Sequence, residues 1–228
     1  MALATMAVGG YFDGQAIHYL EPTAPARRDE AAVFLSGDMG LRLGAGEGAV
    51  ERLRASGLPV LTLNSSALFV RARDRAYVDT LLAQAMREAL ARPGVRKVAL
   101  VGNSFGADIL ATGVGSLPPE LRAQIASVVL VVPGTEVYFH ANPSGLFYTG
   151  TPDSDPHRTV RLLTGLPVTC IYGLREDDTL CRAPELRGAR RVAIDDGHLM
   201  LRQHALLARS VIDAALSPPP PMASPPSD

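Results

Sequence analysis

Six short apolar runs constrain this chain more than any other feature. They are Ala31–Leu35, Val60–Leu63, Val98–Val101, Val128–Val132, Val168–Tyr172 and Arg191–Ile194. A strand with one wet face alternates apolar and polar residues. Runs of Val, Ile and Leu that barely alternate instead read as strands covered on both faces. Helical patterns lie between them. In Arg75–Arg92, the residues Val78, Leu81, Leu82, Ala85, Met86, Ala89 and Leu90 recur at helical spacing. Asp74 can cap that helix, and Pro93 with Gly94 ends it. Glu47–Ser56, stopped by Gly57 and Pro59, Phe105 to about Val114, and Leu201–Leu216 are the other helices expected. Strands and helices alternating in this way predict a mostly parallel sheet with helices on both faces, in a single domain. Ligands of such sheets bind at the carboxyl ends of the strands.

Length and composition agree with one folded domain. The 228 residues are 47% hydrophobic and 20% charged, ordinary values for a globular protein. A net charge of -1 and a single lysine, Lys97, exclude the basic excess of a nucleic-acid binder. No apolar run is long enough to span a membrane. Met1–Gly10 is apolar but short and lacks a preceding basic residue, so it does not read as a signal peptide. Residues Ser217–Asp228 read SPPPPMASPPSD, a composition expected to form a disordered tail. The ordered domain is therefore expected to span 1–216, with the tail at 217–228. Cys170 and Cys181 are the two cysteines. They are expected as a disulfide or as two reduced core thiols. No His or Cys stands at zinc spacing from them, so no metal is expected.

The strongest chemical signal is Gly102-Asn103-Ser104-Phe105-Gly106, between a buried strand and a helix. This is G-x-S-x-G in strand–turn–helix context, a nucleophile elbow. The turn is sharp, and side chains at either glycine would meet neighbouring backbone. Ser104 is presented at a helix N-terminus, where the dipole favours developing negative charge. The pattern predicts the α/β-hydrolase fold and a triad in the chain order Ser, acid, His. His157 follows Asp155-Pro156 in a polar loop, and His204 lies inside the expected last helix. His198 follows the strand Arg191–Ile194 directly, which makes it the expected base. The acid should follow Val168–Tyr172, where Glu176, Asp177 and Asp178 all stand. Position does not choose among them; Asp178 is preferred and Glu176 comes next. The oxyanion hole needs two backbone N–H groups. Phe105 supplies one. Asp38 or Met39, in the glycine-rich loop after the first apolar run, is expected to supply the other.

Several runs together resemble one family, the bacterial virulence proteins VirJ and AcvB. They are FLSGDMG (34–40), VALVGNSFGADIL (98–110) and CIYGLREDDTLC (170–181), with weaker matches in LNSSALF (63–69), VYFH (137–140) and DDGH (195–198). The resemblance implies a periplasmic location, a Cys170–Cys181 disulfide and Asp178 as the acid. It implies hydrolysis of the aminoacyl ester of lysyl-phosphatidylglycerol, a membrane lipid, with no cofactor. Asp38, Asp108, Asp177 and His140 are the substrate-binding candidates, the acids as partners of the lysyl ammonium. The chain departs from the family at Met39, at Leu41, near Phe69-Val70 and at Leu199, and it has no Trp. Two other readings follow from the same residues. One is a general carboxylesterase. The other is a non-catalytic partner of an envelope or secretion complex, and a cytoplasmic location is the alternative to the periplasm.

Overall fold

The computed structural model describes residues 6–25, 29–41, 46–142 and 148–223. The start of the apolar N-terminal stretch (1–5) and the end of the tail (224–228) lie outside the described residues.

Seven strands form one sheet: β1 (Ile17–Leu20), β2 (Glu30–Leu35), β3 (Val60–Leu63), β4 (Lys97–Asn103), β5 (Ile125–Val131), β6 (Val168–Gly173) and β7 (Arg190–Ile194). Their spatial order is β1-β3-β2-β4-β5-β6-β7. Every pair is parallel except β1 with β3. All six apolar runs are strands. The missed strand is β1, whose residues are all half-buried and which, among the described residues, pairs with β3 alone. An edge strand with His18 and Tyr19 in it carries no continuous apolar run for sequence reading to find.

The unalternating strands are explained by two separate cores. Val33 and Leu35 of β2, Val98 and Leu100 of β4, and Val128 and Leu130 of β5 pack on one face. Their neighbours Ala32, Phe34, Ala99, Val101, Val129 and Val131 pack on the other. Four helices longer than two turns cover these faces. Helices α1 (Gly46–Ala55) and α4 (His204–Leu216) lie together on the second face, and α2 (Arg75–Leu90) and α3 (Phe105–Gly113) on the first. Asp74 caps α2 as expected, its carboxylate accepting the Tyr77 N–H at 2.8 Å. Helix α4 begins three residues later than its periodicity suggests. The buried Asp196 carboxylate takes the N–H groups of Arg202 and Gln203 (2.7 and 3.0 Å), and Met200 adopts φ 50°. Those two bonds hold 197–203 as a loop.

The domain does not end at Leu216. Met222 is 3% exposed, and its backbone exchanges bonds with Leu166 and Gly165, both at 2.8 Å. One apolar side chain thus holds the proline-rich segment against the body as far as residue 223. Cys170 of β6 and Cys181 form a disulfide, with Cα atoms 5.5 Å apart. Closing a loop of this size stabilises the fold by about 3 kcal/mol in the chain-entropy account. No helix among the described residues is long and apolar enough to cross a membrane.

Candidate active site

Ser104 joins β4 to α3 with φ 50° and ψ -119°. Two glycines make this turn sterically possible. A Cβ on Gly102 would lie 2.5 Å from the Gly106 carbonyl oxygen, and one on Gly106 would lie 2.4 Å from that of Leu35. Both contacts are with backbone, which cannot swing aside. Gly106→Ala is expected to destabilise the protein by about 2–4 kcal/mol in denaturant melts, with a melt like the parent's arguing against this packing. Among the described residues, Ser104, Val132 and Met200 are the non-glycine positions with positive φ, and they follow β4, β5 and β7. Backbone strain of this kind gathers at functional sites, and here it gathers at the carboxyl edge of the sheet.

The Ser104 Oγ lies 2.9 Å from His198 Nε2. His198 stands on the loop after β7, as expected. Its other ring nitrogen, Nδ1, lies 2.8 Å from Glu176 Oε1. The carboxylate at the imidazole is therefore Glu176 and not Asp178. Glu176 is 5% exposed, and its second oxygen accepts the Gly173 N–H at 2.6 Å. The turn after β6 points Glu176 inward and leaves Asp177 and Asp178 exposed. Asp178 instead accepts a hydrogen bond from the Thr135 hydroxyl. A serine hydroxyl, an imidazole and a buried carboxylate in line can draw a proton from the hydroxyl and stabilise the imidazolium that results.

The Glu176 turn is held from outside. Arg182 donates to the carbonyl oxygens of Glu176 (2.5 Å) and Leu174 (3.0 Å), and its guanidinium lies over the Tyr172 ring. Arg182 follows Cys181 directly, so the disulfide and the guanidinium fasten one turn. Arg182→Ala is expected to lower kcat about tenfold with little change in KM. A steady-state comparison with the parent checks this, and an unchanged kcat would show that the turn keeps its shape unaided.

An open cavity of about 740 Å³ surrounds these groups. Among the described residues it is lined by six carboxylates, those of Asp38, Asp108, Glu136, Glu176, Asp177 and Asp178, and by one arginine, Arg175. Arg175 is itself paired with Asp195 at 2.9 Å. Burial pushes the Asp108 carboxyl well above the usual carboxylate range, and the nearby Asp38 and Asp178 push the same way. One Asp108 oxygen accepts the Gly134 N–H at 2.8 Å. Tyr138 and Tyr148 form an aromatic wall, their rings stacked 4.9 Å apart. His140 packs edge-on against both rings, and the cavity lining does not include it. Glu136, Tyr138 and Tyr148 were not singled out from sequence, because they come from a long irregular loop with no periodicity.

The loop carrying Asp38 and Met39 lies against Ser104. A Cβ on Gly37 would stand 3.5 Å from the Ser104 Cβ. Two hydroxyls, from Tyr11 (2.7 Å) and Ser66 (2.8 Å), fix the Asp38 carbonyl oxygen. Among the described residues, no group accepts the N–H of Phe105 or of Met39. Two amide donors beside a nucleophile can hold an oxyanion. No group of three or more His, Cys, Asp or Glu that could hold a metal is found among the described residues.

Known structures share this architecture. Est1E from Butyrivibrio proteoclasticus with ferulic acid bound is 13% identical, over 88% of this chain and 94% of its own, with a TM-score of 0.64. The esterase domain of a Rhodothermus marinus protein is 13% identical over 89% and 92%, with a TM-score of 0.60. The thioesterase domain from the curacin biosynthetic pathway is 14% identical over 86% and 94%, with a TM-score of 0.56. At such identities the likeness establishes the α/β-hydrolase fold. No curated protein sequence matches the chain. The profile of the bacterial virulence protein family VirJ matches residues 29–217. The chain belongs to the VirJ family of bacterial virulence proteins.

Proposed function

We propose that the protein is a serine ester hydrolase that cleaves the aminoacyl ester of lysyl-phosphatidylglycerol. The observation that carries the reading is the line of contacts from Ser104 through His198 to Glu176, opening into a carboxylate-rich cavity. Ser104 Oγ attacks the ester carbonyl while His198 Nε2 takes its proton. The N–H groups of Phe105 and of Asp38 or Met39 hold the oxyanion. The ester C–O bond then breaks, and His198 returns the proton to the departing glycerol oxygen. Water, activated by the same imidazole, releases the amino acid from the acyl-enzyme. Glu176 orients His198 and stabilises its cationic form throughout. No cofactor enters these steps.

Two features favour a cationic lipid ester over a neutral one. Carboxylates and tyrosine rings suit an ammonium group, and the cavity offers both. Leu174, Leu199 and Leu201, neighbours in sequence of Glu176 and His198, are exposed, and exposed apolar side chains can meet a bilayer surface. The disulfide suits an oxidising compartment such as the periplasm.

The test is incubation of the pure protein with vesicles of lysyl-, alanyl- and unmodified phosphatidylglycerol, followed by separation of the lipids. Lysyl-phosphatidylglycerol should be converted to phosphatidylglycerol with release of lysine. Unchanged lysyl lipid, with turnover of a neutral ester by the same preparation, would leave a general carboxylesterase.

A further inference from the structure

The side chain of Asp38 is a poor neighbour for an oxyanion. It sits on the loop that presses against Ser104, is 4% exposed and lines the catalytic cavity. One oxygen accepts the Tyr148 hydroxyl at 2.6 Å. No lysine, arginine or histidine pairs with it among the described residues, and Arg175, which also lines the cavity, is tied to Asp195. Burial raises its pKa, while the Tyr148 hydrogen bond, its own N–H and the nearby His198 pull the other way. A buried carboxylate without a counter-charge is costly. Negative charge beside the attacked carbonyl also opposes the charge that develops there.

A substrate can remove both penalties if it carries a positive charge one carbon from its carbonyl. We propose that the Asp38 carboxylate binds the free α-ammonium of an aminoacyl ester, so that the enzyme accepts α-amino esters and rejects N-acylated and plain acyl esters. This rests on the aminoacyl-ester reading above and names what that reading requires of the substrate. Each acid has a neutral donor, Asp38 the Tyr148 hydroxyl, Asp108 the Gly134 N–H, Asp178 the Thr135 hydroxyl and Glu136 the Tyr138 hydroxyl, so position and not vacancy singles Asp38 out. Asp38 alone among these four belongs to the loop against the nucleophile, where the α-carbon of a bound ester must lie. The tyrosine that steadies Asp38 belongs to the aromatic wall, whose ring faces offer the ammonium a second attraction.

The test uses soluble esters on the full chain, parent and Asp38→Asn. Lysine methyl ester is compared with Nα-acetyl-lysine methyl ester. In the parent, kcat/KM should fall about tenfold to a hundredfold on acetylation, the scale set by unpairing a buried charge. In Asp38→Asn that ratio should collapse to near one. A parent that cleaves both esters alike, or a variant that keeps the parent's ratio, would overturn the proposal. If Asp38→Asn does not fold, the parent pair still decides it, with Tyr148→Phe as a second variant. That variant keeps the carboxylate and should retain the preference for the free amine; loss of the preference there counts against Asp38. The vesicle assay is read separately. Cleavage of lysyl-phosphatidylglycerol without an α-amino preference sinks this proposal and spares the lipid reading. Preference and reversal without lipid cleavage do the opposite.

Discussion

Ser104→Ala is expected to reduce ester hydrolysis by about 10⁵- to 10⁶-fold while the protein keeps its fold. The size follows from the role. Without the Oγ no acyl-enzyme forms, and only binding and the oxyanion donors remain to aid a direct attack by water. The fold should survive because the Ser104 side chain makes no capping bond to α3, and the unusual φ belongs to the backbone, which alanine shares. Initial rates on a chromogenic ester, with a thermal melt as control, measure both halves. A fluorophosphonate probe adds a second reading: the parent should take one label, and Ser104→Ala none. Residual activity within a hundredfold of the parent would place the nucleophile elsewhere.

The second large effect separates two neighbouring carboxylates. Glu176→Gln is expected to lower kcat by about 10³- to 10⁴-fold, because an amide can hold the imidazole in the wrong tautomer and cannot balance its charge. Asp178→Asn should leave kcat within about threefold, since its carboxylate bonds Thr135 and not His198. Its effect should fall on KM for cationic substrates. Parallel kinetics of the two variants on one ester decide the matter. If Asp178→Asn proved the more damaging of the pair, the acid would have to reach His198 through a rearranged turn.

That pair also marks where sequence stops being readable. Strands β2 to β6 were legible because burial on two faces removes the alternation, and the elbow was legible because only glycine fits at positions 102 and 106. His198 was legible from its place after the last strand. Three acids in a row are different. Which of them turns inward depends on backbone dihedrals after Gly173, and the Glu176 N–H folding back to the Gly173 carbonyl at 3.1 Å settles it. Nothing in the residue types dictates that turn. The family pattern suggested Asp178, whereas the longer side chain of Glu176 occupies the place beside the imidazole. The tail misled for a related reason. Composition described its prolines correctly, but one methionine was enough to hold residues up to 223 against the body.

The sheet's two rims are both unattractive to strangers. One is β1, only four residues long, with the Arg92 guanidinium 3.9 Å from the Tyr19 ring. The other is β7, where Arg190 reaches Thr169, Asp213 and Ser217 and Arg191 reaches Ala183. An incoming strand would have to displace charged, engaged side chains to zip on. Concentrated stocks of this protein should therefore resist growth into fibrils by strand addition, since neither border offers a long, flat, greasy template.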